Sequence, residues 1–257
     1  MPLSVDTEPP PPDGRPPIVR ARPRATPAAR ATALFEVLIC SGYPTQLALA
    51  ATLAAAGLTP TGNTGRFSIQ FVVALSLLDT VALLGLVWLF LRSHGERPVE
   101  LLFGRRPAAR EALAGLPLTL LAFAMAAAVL ASIQQFAPWL RTVERNPLQD
   151  LLRTPRDTVL FALLVVLAGG VREEVQRAFL LHRFEQWLGG GTVGVVVASV
   201  AFGAGHLLQG ADAAVATGIL GALWGVVYLR RRSIVAPVVS HSGFNLLQLA
   251  QFIVVGR

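Results

Sequence analysis

The sequence predicts an all-α fold, a polytopic membrane helix bundle of about seven transmembrane helices within a range of six to eight. Three observations point there. Apolar residues make up 53% of the chain and charged residues only 14%, with a mean hydropathy of +0.57, outside the usual soluble pattern. Apolar runs of span length recur along the chain, and its 257 residues hold about six to eight helices of roughly 20 residues each. The positive charge, net +7, falls in short stretches between those runs, which is how cytoplasmic loops look. That distribution argues for a lipid bilayer as the partner and against nucleic acid, despite a pI near 11.2. All basic residues are Arg, and the single Cys40 excludes an internal disulfide and any Cys-based zinc cluster.

Residues 1–30 are rich in Pro and Arg with almost no large apolar side chains, so they cannot bury enough surface to fold and read as a disordered cytoplasmic tail. Residues 31–257 form one membrane domain. Its first run, 31–56, is too long and begins too late for a signal-peptide core, so it is a retained span, with Glu36 at an interfacial start and a kink at Pro44. Further runs cover about 68–92, 112–138, 157–186, 192–209, 212–229 and 234–255. Between the third and fourth, residues 138–157 mix Trp139 and several Leu with charges, as an amphipathic segment on the outer interface or a plain loop does.

With the N-terminus inside, the inner side carries 16 Arg and the outer side 6: Arg66, Arg141, Arg145, Arg153, Arg156 and Arg257. This favours a cytoplasmic N-terminus, in an integral protein of a bacterial inner membrane. Arg230 to Arg232 read as a topological anchor.

The fourth run places adjacent carboxylates, Glu173 and Glu174, in a helix of about 30 residues, or roughly 45 Å. Later runs place His206 and His241 in apolar surroundings. Ionisable groups in hydrocarbon are costly, so an acid and two imidazoles on separate spans read as a shared site. If Arg183 marks the inner boundary, Glu173 lies about 15 Å deep; His206 lies about 21 Å from Thr192 and His241 about 13 Å from Arg232. The three depths overlap, which predicts a common layer opened from the cytoplasmic half.

Local spacing adds detail. Glu173 and Arg177 are four apart on one face, so the guanidinium is expected to hold that carboxylate, with Glu174 turned about 100 degrees away. In HSGFN, His241 and Asn245 share a face, and Ser242 and Gly243 allow a neighbouring helix close. In FGAGH, Phe202 and His206 share a face beside Gly203 and Gly205. Carboxylate, imidazoles and carboxamide suffice for a water-activating hydrolase, with Glu as general base and Asn or His stabilising an oxyanion. Against this, a lone His in an apolar helix is commonly an interhelical hydrogen-bonding group, and Glu174 could simply pair with Arg177 or Arg172. Asp79, with no basic neighbour in sequence, reads as a structural group. His94 and His182 read as solvated near the inner surface.

The order EE, FxxxH, HxxxN on three motif-bearing helices, over about 157–255, resembles the CPBP family of intramembrane proteases, related to the type II CAAX prenyl endopeptidase and to bacterial Abi proteins. The resemblance implies an endopeptidase acting on a membrane protein or lipidated peptide. Its implied catalytic set is Glu173, Glu174, His206, His241 and Asn245, with Arg177 and Phe202 supporting. It leaves open a Zn2+ ion, for which Glu173, His206 and His241 are the candidate ligands, or no metal. The family's EExxxR becomes EEVQR here, so Arg177 comes one residue early. Either both glutamates keep their roles and the arginine has moved, or Arg172 replaces the first glutamate; the former preserves the base. A proton- or metal-coupled transporter is the alternative from another class, weakened by the lack of paired broken-helix repeats, and a non-catalytic relative is the third.

Overall fold

The computed structural model describes residues 26–61, 67–144 and 146–255. Residues 1–25 of the expected 1–30 tail, and Arg66, Arg145 and Arg257 from the orientation count, lie outside the described residues; the tail's last four residues, Pro27 to Arg30, are instead the first turn of a helix. What is described is an all-α bundle: α1 (Pro27–Ile39), α2 (Tyr43–Ala55), α3 (Ile69–Ser93), α4 (Pro98–Phe103), α5 (Ala108–Phe136), α6 (Pro155–Leu164), α7 (Glu173–Trp187), α8 (Gly191–Ala204), α9 (Ala211–Arg231) and α10 (Val235–Val255). Every backbone group inside hydrocarbon must find an internal partner, and helices provide it within each segment. Leu47, Val81, Leu120 and Val200 remain about 70% exposed, as side chains facing lipid do.

The expected runs all appear as helices, but not as seven equal spans. Among the described residues, α3, α5, α9 and α10 are each long and apolar enough to cross a membrane, and α1 with α2 makes a fifth span bent by 43°. The bend lies at Cys40–Gly42, where Gly42 takes a left-handed φ of 87°, so Pro44 starts α2 instead of kinking a continuous helix. The fourth run is one continuous helix from Pro155 to Trp187, opened by a Thr154 capping box and widened to π-helical winding over Val165–Arg172. The fifth run is shorter than expected. α8 ends at Ala204, so His206 stands in the turn beyond it rather than inside a span. Residues 138–157 hold two short 3-10 turns, Pro138–Leu140 and Pro147–Leu151, instead of an amphipathic helix; Leu151 is fully buried beneath them.

Small residues set the closest helix contacts. A Cβ on Gly243 of α10 would stand 2.9 Å from Thr119 of α5, and one on Gly203 of α8 would stand 2.6 Å from the Ala214 carbonyl of α9. One core joins α1, α3, α7 and α8 through Val37, Leu83, Val87, Phe179, Leu181 and Val195. A second, with Ala122, Ala126, Leu220, Trp224 and Phe244, joins α5, α9 and α10.

The ends of the bundle differ. At one, where α3 gives way to α4, Glu36, Glu96, Arg183, His94 and His182 interlock. Glu36 is 2% exposed and held by Arg183 and His94, so it is no interfacial start; Arg183, 1% exposed, marks no surface boundary. His94 and His182 bind Glu36 and Glu96 at 2.6 and 2.9 Å and are not simply solvated. The other end carries the 137–154 connection and the α8–α9 turn.

Candidate active site

The candidate carboxylates follow directly on the π-helical stretch. Winding with i→i+5 bonds is rare and concentrates at functional sites. Here it spans Val165–Arg172 and ends immediately before Glu173. Its two glycines admit α10: a Cβ on Gly169 would stand 2.7 Å from Asn245 Nδ2, and one on Gly170 would overlap Ser242 Oγ. The Asn245 amide donates to the Val165 carbonyl at 3.4 Å.

Side-chain pairing differs from the expected i,i+4 pattern. Arg177 binds Glu174, not Glu173. Positions three and four apart share a helical face, so the arginine standing one residue early still reaches the second glutamate. Glu173 is instead held by Arg172 Nη2 at 3.1 Å, and Arg172 Nη1 donates to Asp79 at 2.9 Å. Asp79 also accepts from Thr45 Oγ1 at 2.6 Å and Gln46 Nε2 at 3.3 Å. A basic partner 93 positions away was invisible to local reading, and Asp79 is an ion-pair partner rather than a lone structural acid.

His241 stands between the two carboxylates. Its Nδ1 lies 2.8 Å from Glu174 Oε1 and its Nε2 3.8 Å from Glu173 Oε2. An ionised carboxylate only accepts, so Nδ1 carries the proton given to Glu174. Trp224 stacks on the imidazole with centroids 3.8 Å apart and planes 17° apart, and its indole N–H donates to Ser240 Oγ at 3.0 Å. Phe202 contacts both imidazoles edge-on, with centroids 4.9 Å from His206 and 5.9 Å from His241, while the Arg177 guanidinium lies 4.7 Å over its ring. His206 Nδ1 donates to the Phe202 carbonyl at 2.8 Å, which leaves Nε2 as its free nitrogen.

A cavity of about 920 Å³ gathers most of these groups: Glu173, Arg177, Phe202, His206, His241 and Asn245 all line it. Glu174 does not line it. It is 1% exposed and bonded to Arg177 and His241. The sequence names Arg172 and Asp79 without pairing them and gives no sign of Trp224; the π-helical winding has no signal beyond the Gly169–Gly170 pair.

The cavity lining reaches the 137–154 connection and the α8–α9 turn through Arg141, Asn146, Gln209 and Asp212. At the arginine-rich end, where the opening is expected, stand the Arg183 network, Arg231 on Glu111 and Arg232 on Glu185. The donor set does not fit a metal cage. Among the described residues no group of three or more His, Cys, Asp or Glu side chains is arranged to hold an ion. The candidate zinc ligands Glu173, His206 and His241 share a cavity without forming such a group.

Residues 155–247 match the family model described as type II CAAX prenyl endopeptidase Rce1-like. This segment is Rce1-like. The match covers α6 to most of α10, the elements that carry Glu173, His206, His241 and Asn245, and it bears out the resemblance read from their motifs. It makes that segment similar to type II CAAX prenyl endopeptidases, within an all-α membrane bundle. Comparison with curated proteins and with solved structures found no match. The Rce1-like segment ends short of the N-terminal helices, so Asp79, Thr45 and Gln46, which hold Arg172 against Glu173, come from outside it.

Proposed function

We propose that the chain is an intramembrane endopeptidase that hydrolyses a peptide bond of a membrane-associated or lipidated substrate with water activated by Glu173. The observation that carries this reading is a cavity-lining carboxylate 3.8 Å from a histidine whose other nitrogen is bound to a buried acid. That separation admits a water hydrogen-bonded to both groups. Glu173 takes the proton of this water as its oxygen attacks the carbonyl carbon. His206 Nε2, free because Nδ1–H is committed to Phe202, lines the same cavity and is available to accept from the substrate. Asn245, on the cavity wall, supplies an N–H to the developing oxyanion. When the intermediate collapses, the C–N bond breaks and Glu173 returns its proton to the leaving amine. Glu174 and Arg177 act as positioning residues by fixing the His241 ring.

The test is a quenched-fluorescent peptide bearing a C-terminal isoprenyl group, and the same peptide on a palmitoyl anchor, offered to the full chain in liposomes. Cleavage of either is expected from the wild type, with Glu173→Ala and His206→Ala inactive yet monodisperse in detergent. Undiminished turnover by both variants overturns the reading.

A further inference from the structure

The placement of the cavity within the bundle, set against the distribution of arginine, has a consequence for the substrate. The walls come mainly from the halves of α3, α5, α9 and α10 that lie toward the 137–154 connection, passing the middle of α9 at Trp224 and of α10 at Phe244 and His241, together with that connection, the α1–α2 bend, the fourth-run helix, the end of α8 and the α8–α9 turn. No lining residue belongs to the three connections at the opposite end, 94–97 with 104–107, 188–190, and 232–234. That opposite end is sealed by side chains and backbone together. Arg183 bridges Glu36 and Glu96, the Tyr228 hydroxyl donates to the Leu101 carbonyl at 3.1 Å, and the Ile234 N–H donates to the Leu102 carbonyl at 2.8 Å.

The sealed end is also the arginine-rich one. Arg92, Arg97, Arg105, Arg106 and Arg110 flank α4 there, and Arg230 to Arg232 close α9. Among the described residues the open end has Arg141, Arg153 and Arg156. An excess of arginine in short loops marks the cytoplasmic side.

We infer that the active site is reached only from the arginine-poor, non-cytoplasmic face, and that its substrate is an extended polypeptide segment presented on that side of the membrane. The inference rests on the endopeptidase reading for its substrate, and on geometry alone for its direction. From Asp212 at the mouth to Trp224 beside His241 is twelve helical residues, about 18 Å. A strand rising about 3.3 Å per residue needs roughly five or six residues to cover that depth. The mouth suits such a strand: Asn146, Gln149, Gln209, Gln248 and Gln251 line it with carboxamides, which donate to and accept from peptide groups whatever the side chains. A tightly folded domain on the same side is therefore a poor substrate, and a flexible juxtamembrane stretch a good one.

The experiment uses sided labelling of the full chain in spheroplasts. Cys40 is fully buried, so the wild-type background is low. Glu144→Cys at the mouth is expected to react with a membrane-impermeant maleimide in intact spheroplasts. Arg97→Cys, whose native side chain is 76% exposed at the sealed end, is expected to react only after lysis. The reverse pattern overturns the inference whatever the enzyme cleaves. A companion pair of single-span reporters carries the same flexible segment outside or inside the membrane. Cutting of the outside segment alone, lost in Glu173→Gln, supports the inference, and cutting of the inside segment overturns it. Labelling as expected with neither reporter cut upholds the direction of access and overturns the endopeptidase reading instead.

Discussion

Helix α7 carries a buried charge cluster at each end, and the two are built from the same residue types. Toward its C-terminal end, Arg183 binds Glu36 and Glu96, with His94 and His182 on the same two carboxylates. At its start, Arg172 and Arg177 bind Glu173 and Glu174, with His241 between them. The difference lies in what is left over. Around Arg183 each carboxylate is shared among two or three donors at hydrogen-bond distance, and none of the five residues lines the cavity. Around His241, Glu173 has one short partner, a histidine held off at 3.8 Å, and an open wall. Carboxylate, guanidinium and imidazole buried together do not define a catalytic centre. The proposed base is the acid left with spare acceptor capacity on the cavity wall.

Four changes break or sharpen that contrast, in descending size. Glu173→Gln keeps the shape and removes the base; it is expected to lower kcat by about 10²–10⁴-fold, measured on the lipidated peptides, with unchanged thermal unfolding. Arg183→Met leaves Glu36 and Glu96 without their guanidinium and is expected to cost about 3–5 kcal/mol in detergent unfolding, with turnover per folded molecule retained. A loss of kcat in folded Arg183→Met would show that the lock reaches the chemistry.

The third change tests how the N-terminal helices serve the site. Asp79→Asn frees Arg172 from its anchor and is expected to lower kcat with KM unchanged. Arg172→Gln added to it should show a coupling of about 1 kcal/mol, and Asp79→Glu should restore most of the rate. Strict additivity would mean that the two side chains act independently.

The fourth concerns acid. Glu96, in the α3–α4 connection, is pushed up by burial but pulled down further by hydrogen bonds from His182, Gln186 and Arg183, to about 2 from an ordinary 4.5. A carboxyl held below its ordinary value stabilises the fold above that value and loses this contribution as pH falls from 4.5 toward 2. Glu96→Gln is expected to be modestly less stable than the wild type at neutral pH and to lose less stability over that acid interval, as followed by unfolding against pH.

Much of this was legible in the sequence. The helical runs, the acid on the fourth and the HxxxN face of α10 follow from spacing, because residues three or four apart share a face in any helix. Glu173, His241 and Asn245 line one cavity. Local reading failed where the partner was distant or the helix was not α. Arg177 was assigned to Glu173 through i,i+4 geometry, whereas the nearer carboxylate on its face is Glu174. His206 was read as lying within a span, but α8 stops at Ala204 and the imidazole reaches the cavity from a turn.

The sequence alone determined the class of fold and the order of the chemistry-bearing helices. Hydropathy acts residue by residue, and hydrocarbon forces each segment to satisfy its own backbone. Tertiary structure alone decided which charge meets which, and which end of the bundle is open. Ion pairing falls off steeply with distance, and distances between helices are set by packing, by a glycine pair under α10 and by one π-helical stretch that no local pattern announces. Asp79 and Arg172 are strangers in the sequence and neighbours at 2.9 Å in the fold.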